Sequence, residues 1–448
     1  MRSSPGRPLG LADPSIGLLS VTVMTVVVLA DTDSRWKWGL LTALQLFPGS
    51  TATGMLLAST NGPSARQLAD SGVAQEPTPV ESVPDFVESD ELAAADAVVL
   101  ALPGGGVQAV LHGLARRWPK AGRRPLVISG YVGVVYEKHV EGLLMRSGSD
   151  VILANSPADA AAFRALLAGA GAEADVVVPT VLPFLGTAGS ARGPGVPFTV
   201  TFAAQPGVPG ARPDRELVVR RLIRHAALHP EREVLLKVRA RLGEHSTHRE
   251  DHPYQVLGAR IGVPRPPNLH VVHGNMGDVL DRTDLLVTVS STAAVEAMHR
   301  GIPTAILTDF GIRERLGNHY FIGSGCLTGF ADLDAGARPV ADADWARAHG
   351  IGPGDAVEQA RLRLAELLSR DVRAPLRPFY TMHNASGMLP GLLGRYGLTG
   401  HGHALEADDD RLGDLPLAVR SVVARAARTA YRQGVHTVAP ALRRLARL

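Results

Sequence analysis

The sequence predicts an α/β protein made of two Rossmann-like domains that face each other across a cleft, followed by C-terminal helices. Three observations predict it. Short apolar runs rich in Val, Ile and Leu alternate with longer helical patterns through both halves, the pattern of βα units in parallel sheets. A stretch rich in Gly, Pro and small residues, PFLGTAGSARGPGVP at 183–197, separates the halves as a linker does. The 448 residues also exceed what one hydrophobic core organises. These give a tail at 1–15, a first domain at 16–182, the linker, a second domain at 198–375 and a helical extension at 376–448.

Composition narrows the function classes. Hydrophobic residues make up 45% and charged residues 20%, ordinary values for a globular protein. Net charge is only +3, and the pI of about 9.2 partly reflects an Arg-rich composition, so nothing argues for a nucleic-acid partner. A single cysteine, Cys326, excludes an internal disulfide and a multi-Cys metal site and fits a reducing cytoplasm. The apolar run from Ile16 to Ala30 is too short and too interrupted for a membrane span and reads as a buried strand.

In the first half, VTVMTVVVLA forms the opening strand, and a helix runs through Leu46. Further strands are expected at 55–58, 97–102, 126–129, 151–154 and 174–178. The loop after the first strand holds Asp31, Asp33, Arg35, Trp36, Lys37 and Trp38, at the end of the sheet where ligands bind. A carboxylate there can take the proton from an attacking hydroxyl, with Asp33 the first candidate and Asp31 the second. Either also suits a plain helix cap. Trp36 and Trp38 offer aromatic faces to a sugar, although two residues two apart cannot share one helix face. Leu102-Pro103-Gly104-Gly105-Gly106 is a tight turn without the Lys of a nucleotide triphosphate loop.

The second half opens with a strand at 198–203, and Gln205 lies in the loop beyond it. A helix at 214–228 carries several arginines and reads as exposed and cationic. The strand at 234–238 leads to Lys237 and Arg239, cations suited to the charge of a departing nucleotide. His245 and His248 follow in a loop that lacks the spacing of a metal site, and are secondary candidates to protonate a leaving phosphate or plain members of a solvated loop. Another strand at 268–273 ends at His273, which can donate to a phosphate or pack in the core.

Residues 276–307, MGDVLDRTDLLVTVSSTAAVEAMHRGIPTAIL, carry the densest signal. The strand Asp284 to Val289 runs into Ser290, Ser291 and Thr292 just where a helix must start. Small hydroxyl residues suit that position, and free N–H groups at a helix start attract an anion. Glu296 follows Thr292 by about one turn, at a reach suited to the paired hydroxyls of a ribose. Gly301 and Pro303 end the helix.

This stretch resembles the donor-nucleotide motif of GT-B glycosyltransferases, a motif shared by the non-hydrolysing sugar-nucleotide 2-epimerases. The wider chain resembles an actinobacterial glycosyltransferase family. The resemblance implies a GT-B architecture with Ser290, Ser291 and Thr292 on phosphate and Glu296 on ribose. It also implies His273 beside base or diphosphate, Glu314 as a secondary contact to sugar hydroxyls, and transfer without a metal or other cofactor. The nucleotide-sugar is then a co-substrate, its acceptor is undetermined, and assembly of a surface polysaccharide or glycoconjugate is the expected setting. The alternatives are a 2-epimerase-like isomerase and a catalytically silent nucleotide-binding protein of the same fold.

From Leu417 the chain reads as a basic amphipathic helix, able to lie on the inner face of an anionic membrane or to pack back on the protein. The expected location is therefore the cytoplasm, with peripheral membrane contact through that helix.

Overall fold

The computed structural model describes residues 24–59, 62–134, 139–185, 195–241, 244 and 250–405. The described residues through His403 belong to one compact unit. Two parallel sheets organise it. The first contains β1 (Thr25–Ala30), β2 (Thr51–Leu57), β3 (Thr78–Val80), β4 (Ala97–Ala101), β5 (Leu126–Gly130), β6 (Val151–Ala154) and β7 (Val177–Pro179), in the order β3-β2-β1-β4-β5-β6-β7. The second contains β8 (Thr199–Ala203), β9 (Glu233–Lys237), β10 (Leu269–Val272), β11 (Leu285–Thr288), β12 (Thr304–Leu307) and β13 (Leu327–Thr328), in the order β10-β9-β8-β11-β12-β13.

Both orders reverse beside the opening strand, between β1 and β4 and between β8 and β11. There the following loops diverge to opposite faces and leave a crevice at the strands' carboxyl ends. Central strands are apolar on both faces because helices cover both sides; β1 is buried from Val26 to Ala30.

The structure refines several sequence expectations. β2 starts at Thr51, earlier than the apolar run suggests, because Thr51, Ala52 and Thr53 pair with β1. β3 and β13 are edge strands of three and two residues, too short for a periodic signal. Trp36 and Trp38 do not form a sugar-stacking face. Both are buried, Trp36 against Gly54 of β2 and Trp38 against Gly130 of β5, so the helix Asp33–Leu46 wedges one ring over each flank of β1.

The C-terminal segment turns back onto the first sheet. Ala360 and Leu364, on the helix Ala356–Leu368, pack with Val26, Val28 and Val99. Leu376, Leu389, Leu392, Leu393 and Leu398 join the core on the other face with Val98 and Leu100. The helix at 356–368 thus serves the first sheet although it follows the second in sequence. The proposed tail at 1–15, most of the linker and the basic helix from Leu417 lie outside the described residues. Among the described residues no helix is long and apolar enough to cross a membrane.

Candidate functional site

A cleft of ≈ 580 Å³ lies between the carboxyl edges of the two sheets, lined from both domains. The turn after β11 forms one wall. Thr288 Oγ1 donates to Ala203 O at 2.9 Å, tying β11 to β8 beneath the turn. Ser290 is buried, and its hydroxyl donates to Leu316 O at 2.5 Å. Its N–H donates to Gln205 Oε1 at 3.0 Å, so Gln205 staples the loop after β8 to the turn after β11. Ser290 also lines the cleft, with both its donors engaged within the protein. Ser291 and Thr292 line the cleft, and Ser291 Oγ accepts from the N–H of Ala293 at 3.2 Å, where the helix Ala293–His299 begins.

Glu296 also lines the cleft from that helix and is almost wholly buried. Arg300, one turn on, donates from Nη2 to its Oε1 at 2.9 Å and from Nη1 to Asp281 at 2.6 Å. Burial pushes the Glu296 carboxyl above the usual range, while Lys37 and Arg300 oppose the shift. Gly277 makes room for this arrangement, since a Cβ there would lie 3.1 Å from Arg300 Nη2.

Cations also line the cleft. Lys237, at the end of β9, has its pKa pushed down to about 8 by burial and then by Arg239. Its Nζ donates to Val238 O at 3.1 Å. Lys37 enters from the first domain, one turn into the helix Asp33–Leu46, and burial lowers its pKa while Glu296 raises it. Arg239 crosses to the first domain, pairing with Asp33 and donating to Ser34 Oγ at 2.9 Å. Arg66 pairs with Glu244 in the same manner. Thr292 approaches the other domain too, with its Oγ1 3.4 Å from the N–H of Val134.

The remaining candidates scatter. Asp33 precedes Ser34 but is not itself among the residues that line the cleft; Arg239 holds it, and Thr32 is the actual cap of its helix. Asp31, at the end of β1, pairs with Arg35 at 2.8 Å. His273 follows β10 with its Nε2 buried and unpartnered among the described residues, and burial lowers its pKa. Glu314 is exposed and does not line the cleft. His245 and His248 lie outside the described residues. No cluster of three or more His, Cys, Asp or Glu side chains that could hold a metal occurs among the described residues. Cys326 is buried in the second domain's core.

Sequence reasoning gave no individual role to two residues. Arg215, on a helix read as exposed, is 1% exposed and donates from Nη1 to Gln205 O, Pro206 O and Pro209 O at 3.2, 3.0 and 3.2 Å. Its guanidinium also pairs with Glu250 and lies 3.9 Å over the Tyr254 ring, so it pins the donor-side loop from behind. Only the apolar spacing of Val218, Val219 and Leu222 on that helix hinted that Arg215 shares their buried face. Lys37 is the other. Its position three residues after Ser34 gave no sign that the helix would aim it across the cleft.

The model of the family described as "Putative glycosyltransferase (DUF6716)" matches residues 26–367. No curated protein sequence matches the chain. Among solved structures, it is similar in fold to a UDP-N-acetylglucosamine 2-epimerase described as putative from Listeria monocytogenes. That likeness has a TM-score of 0.50 at 13% identity and covers 78% of this chain and 98% of the other. The S. aureus MnaA–UDP co-structure is similar with a TM-score of 0.51 at 12% identity, over 77% and 97% of the two chains. At such identities the likeness shows the fold: two Rossmann-like domains in the GT-B arrangement.

Proposed function

The chain belongs to the DUF6716 glycosyltransferase family, and from that premise we propose that its cleft binds a nucleotide-sugar and transfers the sugar to an acceptor held by the first domain. One observation carries the reading: the turn Ser291–Thr292, the carboxylate Glu296 and two partly desolvated lysines line a single cleft at the β8–β11 switch point. In this reading Ser291 and Thr292 take the phosphates, Lys237 offsets charge on the departing nucleotide, and Glu296 takes the ribose hydroxyls. Gln205 and Ser290 hold the turn. Arg239, which lines the cleft, borders the diphosphate, and His273, outside that lining, is the candidate for base or diphosphate. Asp33, with Asp31 as the alternative, accepts the acceptor's proton as its oxygen attacks the anomeric carbon and the nucleotide leaves. No metal is needed, because lysine ammonium groups supply the positive charge. The expected setting is the cytoplasm, in assembly of a surface polysaccharide or glycoconjugate, with the segment beyond Leu417 touching the membrane.

Epimerisation at a sugar carbon by the same cleft would need paired carboxylates around one sugar. Glu296 is the sole carboxylate among the described residues that line the cleft, and it is the family model that favours transfer.

The test is a thermal-shift screen against UDP, GDP, CDP, CMP, ADP and their common sugar conjugates, starting with UDP because one similar structure holds it. A selective rise in Tm that Glu296→Ala loses, with affinity falling by roughly 1.5–3 kcal/mol, supports the assignment. Asp33→Asn should keep the shift and abolish transfer. No shift with any nucleotide, or interconversion of the donor without an acceptor, overturns the reading.

A further inference from the structure

We propose that Lys37 is the first domain's own ligand to the donor diphosphate, so that the donor is gripped from both sides of the cleft. The inference rests on the nucleotide-sugar reading and adds a contact from the domain otherwise given to the acceptor. Three observations carry it.

The first is place. Lys37 lines the same cleft as Ser291, Thr292 and Glu296, although it belongs to the helix that follows β1. That helix is fixed, because Trp36 and Trp38 on either side of Lys37 are buried against β2 and β5. The ammonium therefore projects from a rigid support across the interdomain space.

The second is an unmet need. Among the described residues, the sole hydrogen-bond partner of Lys37 Nζ is Asn275 Oδ1, at 3.5 Å, the outer limit of such a bond. Its other contact is the Phe184 ring, whose centroid lies 5.5 Å away. No carboxylate forms an ion pair with it among the described residues, and Arg300 instead occupies Glu296. A half-buried ammonium so poorly matched costs free energy unless an anion arrives.

The third is complementarity. Across the cleft is the Ser291–Thr292 turn, which offers two hydroxyls but no full charge, and Lys237 stands on the same cleft. A diphosphate between them meets a cation from each domain. A lysine that merely propped the domains apart would have a close partner on the far side.

The experiment compares the full chain with Lys37→Met and Lys37→Arg by calorimetric titration of UDP, GDP, ADP and CDP and, in parallel, of the four nucleosides. If Lys37 grips the diphosphate, Lys37→Met weakens the preferred diphosphate roughly 10- to 100-fold, leaves its nucleoside unchanged and does not lower Tm, and Lys37→Arg recovers most of the loss. Diphosphate affinity unchanged in Lys37→Met, or diphosphate and nucleoside weakened alike, overturns the role of Lys37 alone. A wild-type chain that binds none of the eight overturns the nucleotide-sugar reading and this inference together. Thr292→Val separates the two cases, since it should weaken the diphosphate whether or not Lys37 does.

Discussion

The cations of the cleft are retained at a cost to stability. Lys237 has a pKa of about 8 in the folded chain, against about 10.4 for an unfolded lysine. A lysine whose pKa falls on folding disfavours its charged form in the fold. The penalty is absent above the unfolded pKa, grows as pH falls between the two values, and is complete below about pH 8. Lys237→Met should therefore stabilise the protein at pH 7 by as much as about 3 kcal/mol, a gain that fades toward pH 10; denaturant titration across that range measures it. The same variant should bind a nucleoside diphosphate more weakly. In the wild type, diphosphate binding near pH 8 should take up protons, which calorimetry in buffers of different ionisation enthalpy detects. Glu296 has the opposite sign: burial raises its pKa, so its contribution to stability declines as pH rises through its folded pKa.

Elements place these charges. The helix Asp33–Leu46 approaches the sheet so closely that a Cβ on Gly39 would lie 2.5 Å from Val28 Cγ1 and 2.9 Å from Ala101 Cβ. Gly39→Ala should push the helix off β1 and β4 at a cost of about 1–3 kcal/mol, read as a lower Tm. It should also reduce nucleotide affinity, since Lys37 moves with the helix. On the donor side, Arg215 does for the loop 205–209 what Gly39 does for the helix, fixing a backbone that itself makes no regular structure. This much was legible in part. Strand, turn and helix at 284–299 follow from an apolar run, hydroxyl residues and a following Gly, all local signals. Arg215 was not legible, because which face of its helix meets the loop depends on chain 35 residues away, at Glu250.

At the scale of the whole molecule, the chain crosses from the first sheet to the second and back. Leu393, on the helix Leu389–Gly394, is fully buried in a core shared with β1 and β4 residues. Leu393→Ala should lower the stability of the first domain by about 2–5 kcal/mol, seen as a loss in Tm. A freely hanging C-terminal appendage would leave Tm unchanged. The domains meet through Arg239 with Asp33 and Arg66 with Glu244, ion pairs that join residues more than 170 positions apart. By itself the sequence determined the α/β class with its two Rossmann-like parallel sheets and the position of the hydroxyl turn with Glu296, because each arises from periodicity, capping or composition within a short window. Tertiary structure alone decided that the donors of Ser290 are engaged within the protein, that both tryptophans are core, that Glu296 is met by Arg300 and that Lys37 reaches a cleft built mostly by the other half. Those outcomes depend on which distant surfaces the sheets bring together, and no local pattern carries that information.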